Sequence, residues 1–177
     1  MRMITTKSPG LLEERLHPGA GVKAWDRPLA SITTLLVLVI LIVTGLDHRF
    51  GWSQEFNLVV RLIAFIVWLL GSIFSRWGAV SNKFYSRYVR IQKDRGHTVV
   101  MDGPYHYVRH PGYAGVLVAS IATPIMLSSW WALIAVGAQV FLLVIRTALE
   151  DQMLQDELPG YSEYAIQTQY RLIPGIW

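Results

Sequence analysis

An all-α integral membrane fold with four transmembrane helices is what this sequence predicts, on three observations. Apolar residues make up 53% of its 177 residues and charged residues 16%, with a mean hydropathy of +0.36. Soluble domains carry roughly 45–50% apolar and 25% charged residues. Four apolar runs, at about 29–46, 58–77, 113–127 and 130–149, account for the excess. Basic residues fall in alternate connections between those runs, as the positive-inside rule requires of four spans with both termini cytoplasmic. The composition excludes a disordered chain, a collagen-like repeat and a nucleic-acid-binding tail. The absence of cysteine excludes a disulfide scaffold, a thiol nucleophile and a thiolate zinc site.

The first run is broken only by Ser31, Thr33, Thr34, Thr44 and Gly45, and the second holds one charge, Arg61. At about 1.5 Å per residue each reaches across a hydrocarbon core of about 30 Å. The third run is short for a span and contains Pro124, so a re-entrant segment is its alternative. Only Ser128 and Ser129 part it from the fourth, which reads as a tight helical hairpin anchored at the interface by Trp130 and Trp131. Arg2, Lys7, Arg15, Lys23 and Arg27 precede the first span, and only Arg49 lies between the first two. Lys83, Arg87, Arg90, Lys93, Arg95 and Arg109 follow the second. Glu13, Glu14 and Asp26 before the first span argue against a cleaved signal peptide. No repeat or linker divides the chain, so residues 1–177 are expected to form a single membrane domain.

Two segments on the expected cytoplasmic side could carry chemistry: about 81–112, and 146 to the end. The first could be a basic arm bound to anionic headgroups. Its turn-formers Gly96, Gly103, Pro104, Pro111, Gly112 and Gly115 instead suggest a folded pocket wall. His106 and His110 have i, i+4 spacing, but no HExxH pattern is present and Pro111 biases His110 away from helical geometry. Metal binding is therefore not expected. Arg146 and Glu150 lie one helical turn apart. They are either a helix ion pair or a site in which Arg146 grips an anion and Glu150 accepts hydrogen bonds from an ammonium or from hydroxyls. No GxGxxG, GxxxxGK[ST] or GxSxG pattern occurs.

The run GPYHYVRHPGY, two hydrophobic spans, and then RTALEDQMLQDELPGYSEYAIQTQYRLIPGIW resemble the isoprenylcysteine carboxyl methyltransferase family. More distantly they resemble membrane phospholipid methyltransferases. The resemblance covers about residues 81–177 and implies that this half is catalytic. It implies a membrane methyltransferase using S-adenosylmethionine, with a cytoplasm-facing pocket formed by the 81–112 loop and C-terminal helices. His110, Tyr113 and Glu150 would contact the cofactor, and Gln92, Gly96, His97, Val99, Gly103 and Tyr105 would line the pocket. Arg146 would orient the acceptor, a carboxylate in the best-known members, so that Arg146 and Glu150 carry the catalytic roles. The family's paired glutamates appear here as Glu150-Asp151.

The expected function is methyl transfer to a lipophilic or small hydrophobic acceptor, with membrane lipids as partners and no nucleic acid. An ionised carboxylate needs no general base, and the sequence offers no dedicated one, which favours an anionic acceptor. The alternatives are a sterol-type membrane reductase using NADPH and a non-enzymatic lipid-binding scaffold.

Overall fold

The computed structural model describes residues 20–177. Arg2, Lys7, Glu13, Glu14 and Arg15, on which part of the orientation reading rests, lie outside the described residues. Those described contain five α-helices, two short 3-10 turns and no strand: α1 (Asp26–Phe50), α2 (Leu58–Ser81), α3 (Pro111–Met126), α4 (Ala132–Glu157) and α5 (Tyr161–Gln167). α1, α2 and α4 are long and apolar enough to cross a membrane, and α3 is a shorter apolar helix of 16 residues. At the helical rise α3 covers about 24 Å.

Local chemistry sets the helix ends. Asn57 caps α2 by accepting the Val60 N–H at 2.9 Å. Gly51 ends α1 in the left-handed conformation, with its N–H bonded to the Asp47 carbonyl. α3 starts at Pro111, whose fixed φ suits a first helical residue. The hairpin between α3 and α4 turns through Ser128, at φ 57°. α4 continues eight residues beyond the apolar run, because nothing between Glu150 and Glu157 breaks a helix once the chain leaves the apolar region.

In space the order is α2, α3, α4, α1, so the first helix packs against the fourth. Ile40 of α1 meets Ala132 and Val136 of α4. Leu117 of α3 packs with Leu143 of α4. The α2–α3 contact is made by small residues. A Cβ added to Gly71 would lie 2.9 Å from the Gly115 carbonyl oxygen, and one on Gly78 would lie 2.9 Å from the Gly112 nitrogen. One on Gly115 would run into the Gly71 carbonyl oxygen and the Ser75 nitrogen. Such close backbone approach drives helix association where lipid supplies no hydrophobic push. The outer faces of α1 and α2 expose Leu35, Leu38, Ile42, Leu62, Ile63, Ile66 and Leu70.

The bundle's two ends differ. At the hairpin end the buried Asp47 carboxylate accepts the Ser53 N–H and hydroxyl, both at 2.7 Å, and the Ser129 hydroxyl. This joins the α1–α2 loop to the α3–α4 turn, where Phe56 and Trp130 also meet, 4.9 Å apart. At the opposite end residues 82–110 fold over the helices. The tail returns so that Tyr170 and Arg171 carbonyls accept the Arg109 and His110 N–H groups, each at 2.9 Å.

Candidate active site

Three charged knots organise the end of the bundle that carries the 82–110 segment. Asp26, fully buried at the start of α1, accepts Arg146 Nε at 2.7 Å on one oxygen. Its other oxygen accepts Arg146 Nη2 at 3.2 Å and the Val89 N–H at 2.7 Å. Arg146 Nη2 also donates to the Arg87 carbonyl at 2.8 Å, and the guanidinium lies 5.3 Å from the centre of the Tyr113 ring. Arg146 therefore turns to Asp26 rather than to Glu150, and its Nη1 makes no hydrogen bond to a described residue.

Tyr113 donates its hydroxyl to Glu150 at 2.6 Å and stacks on His110, with ring centres 5.8 Å apart and nearly parallel. Glu150 is half-buried, one residue before a carboxylate with a different task. Asp151 is fully buried and accepts Arg109 Nε at 2.7 Å and Nη2 at 2.9 Å. It also takes the Tyr161 hydroxyl at 3.0 Å, Gln155 Nε2 at 2.8 Å and Arg171 Nε at 2.8 Å, and lies 3.2 Å from His110 Nε2. Through this one side chain α4 holds the loop, α5 and the tail.

Between the 82–110 segment, α4 and α5 lies a cleft of about 770 Å³ counted out to its open mouth. Its walls include Phe84, Tyr85, Tyr88, Tyr105, Tyr113, Tyr161 and Tyr164, with Glu150 and Met153 from α4. Burial pushes the hydroxyls of Tyr105, Tyr161 and Tyr164 well above their usual range, so none serves as a tyrosinate base near neutrality. Burial, reinforced by the charges of Arg90 and Arg95, lowers the His97 ring to about 4. His97 is thus neutral, its Nδ1 accepting the Gln92 N–H at 3.3 Å and its ring 4.4 Å from that of Phe84.

His110, Tyr113, Glu150, His97, Val99, Tyr105 and Gln92, all singled out in the sequence, stand around this cleft. The Gln92 amide is already engaged, donating to the Phe84 carbonyl at 2.6 Å and accepting from Arg95. Gly96 and Gly103 are not in the cleft wall. Each takes a left-handed turn, φ 61° and 62°, and Gly103 sits against Ser81 and Trp77 of α2. Arg146 stands behind Tyr113 rather than in the wall. Sequence reasoning did not find Asp26, Arg109 or Tyr161 as parts of this end. Arg109 and Tyr161 belong to quoted motifs, whereas Asp26 lies 120 residues from its partner and leaves no spacing signal.

Membrane-length apolar helices with a folded, aromatic-lined cleft at one end of the bundle define a multi-pass membrane protein. Residues 62–156, just over half of the chain, match the isoprenylcysteine carboxyl methyltransferase (ICMT) family. The chain belongs to that family of membrane methyltransferases. It is 27% identical over 142 residues to protein-S-isoprenylcysteine O-methyltransferase B of Arabidopsis thaliana, covering 77% of this chain and 68% of that one. The A protein of the same plant is 24% identical over 141 residues, with the same coverage. Protein-S-isoprenylcysteine O-methyltransferase of Dictyostelium discoideum is 27% identical over 132 residues, covering 69% of this chain and 55% of that one. The fold matches that of the eukaryotic intramembrane Ras methyltransferase ICMT with a TM-score of 0.64 at 23% identity, over 81% of this chain. The present chain spans about half the length of that solved protein, 52%.

Proposed function

We propose that the chain transfers a methyl group from S-adenosylmethionine to the carboxylate of a lipophilic acceptor, with residues 81–177 as the catalytic half. In this reading α1, α2, α4 and the shorter α3 all span the bilayer, both termini are cytoplasmic and the cleft faces the cytoplasm. The observation that carries it is the Tyr113–Glu150 pair, 2.6 Å apart, at the wall of the aromatic-lined cleft. The relatives are named for isoprenylcysteine, a prenyl thioether beside a carboxylate.

The cleft's chemistry fits a donor that carries a sulfonium, an ammonium, hydroxyls and an adenine ring. Aromatic faces attract cations and stack on rings, and Glu150 supplies a half-buried carboxylate oxygen to an ammonium or hydroxyl. His110, Tyr113 and Glu150 would make the main contacts, with His97, Val99 and Tyr105 lining the remainder. When bound, S-adenosylmethionine supplies an activated methyl group, so transfer to an ionised oxygen is one in-line displacement without a base or metal. The protein's own task is alignment and exclusion of water. The Tyr113 ring is held by His110 and Arg146, and its hydroxyl by Glu150. Arg146 is fixed by Asp26 and keeps Nη1 as the one donor to point an acceptor carboxylate towards the cleft.

The test uses methyl-tritiated S-adenosylmethionine with a farnesylated cysteine derivative bearing a free carboxylate. Base-labile tritium in the organic phase is expected, with loss of adenosyl-ligand binding in Glu150→Ala and His110→Ala while both stay folded. Absence of ester formation together with no thermal shift on adding S-adenosylmethionine or S-adenosylhomocysteine would overturn the reading. A shift with NADPH alone would favour the reductase.

A further inference from the structure

About 10 Å below the hairpin end, by the helical rise, lies a second cavity of about 640 Å³ counted to its mouth. Ile40 and Leu41 of α1, Ser120 and Thr123 of α3, Trp68 of α2 and Gln139 of α4 stand around it. Gln139 is only 3% exposed, yet its amide oxygen has no hydrogen-bond partner, and its nitrogen makes none to a described group. A buried unsatisfied amide costs about 1–3 kcal/mol, and in hydrocarbon no bulk water relieves it. Pro124 has no N–H, which withdraws the usual helical donor from the Ser120 carbonyl. The Ser120 hydroxyl makes no hydrogen bond to a described residue. The Thr123 hydroxyl donates to the Ala119 carbonyl at 2.9 Å and keeps its lone pairs. An apolar space thus holds an amide and a hydroxyl whose hydrogen bonds no described residue supplies. It opens beside Leu41, 52% exposed on the outer face of the bundle.

We infer that this cavity is a lateral site for an apolar membrane molecule bearing a hydroxyl group. One hydroxyl answers both needs of the amide, its O–H donating to Gln139 Oε1 and its oxygen accepting from Gln139 Nε2. A pure hydrocarbon chain would leave the amide as it is. The site stands about 16 Å along α4 from Glu150, by the helical rise, and does not depend on the methyl-transfer reading.

The full-length protein in detergent is titrated with 1-dodecanol and, in parallel, with n-dodecane, and thermal unfolding is followed. Dodecanol at about one hundred times its Kd is expected to raise the midpoint by roughly 5–10 °C, and dodecane by far less. Gln139→Leu should abolish the difference between the two probes. A long-chain alcohol carrying a diazirine should label peptides containing Ser120, Thr123 or Gln139, and dodecanol but not dodecane should compete. Equal shifts with both probes, or a dodecanol preference that survives Gln139→Leu, would overturn the assignment. So would labelling confined to other peptides, or a cavity holding water alone, seen as no shift with either probe.

Discussion

Two neighbouring carboxylates on α4 should respond differently to neutralisation. Asp151 is fully buried and faces two guanidiniums, a phenol, an amide and an imidazole. Asp151→Asn keeps the shape but removes the charge, leaving Arg109, with its side chain 5% exposed, without a counter-ion. Breaking a buried pair from one side costs about 3–5 kcal/mol. In a chain of this length each kcal/mol moves the midpoint by roughly 2–4 °C, so a fall of roughly 6–20 °C is expected. Glu150→Gln loses one hydrogen bond from a half-buried group, about 0.5–1.5 kcal/mol, and should leave the midpoint within roughly 6 °C of wild type. Thermal unfolding in detergent, with an S-adenosylhomocysteine titration alongside, separates the two. Glu150→Gln should unfold nearly as wild type and bind poorly, whereas Asp151→Asn should be destabilised first. A fully stable Asp151→Asn, or a Glu150→Gln that fails to fold, would refute the division of roles.

Asp26→Asn should cost about 3–5 kcal/mol by stranding Arg146, and the double change Asp26→Asn with Arg146→Met should recover much of it in the same unfolding assay. Gly115→Leu should separate α2 from α3, lowering the midpoint by more than the roughly 1–3 kcal/mol of ordinary overpacking, because the obstacle is backbone. Since His97 titrates near 4 when folded and near 6.5 when unfolded, the unfolded state binds more protons between those values. Its contribution is therefore complete above about pH 6.5 and lost as the pH falls towards 4. After discounting the ring's partial exposure this amounts to about 1–2 kcal/mol, and His97→Gln should flatten that part of a stability–pH profile.

The apolar runs were legible because a bilayer demands long uninterrupted stretches, and each coincides with a helix. Their ends were less so. Hydropathy stops counting at Leu149, while α4 continues to Glu157, and Pro111 reads as a breaker although it is a good first helical residue. In the cleft, Tyr113 and Glu150 could be picked out from the order of motifs. The assignment of Arg146 to Asp26 could not, since a partner 120 residues away has no periodicity to reveal it. Arg146 and Glu150 share a helical face, and spacing alone left their pairing open until Asp26 was seen to take the guanidinium. Gln139 was lost inside an apolar run, where one amide hardly alters the hydropathy.

The α1–α4 contact also sets a timetable for biogenesis. Among the described helices α1 is made before the others, yet it receives its neighbour α4 only after α2 and α3 have been made. At about 5–20 residues per second the 120 residues between Asp26 and Arg146 take roughly 6–24 s to synthesise. Throughout that interval α2 and α3 can already close on their glycines, while α1 waits as an apolar helix whose Asp26 carboxylate lacks its Arg146 partner. A chain stalled before α4 would display that carboxylate, a mark by which membrane quality control could tell an unfinished protein from a finished one.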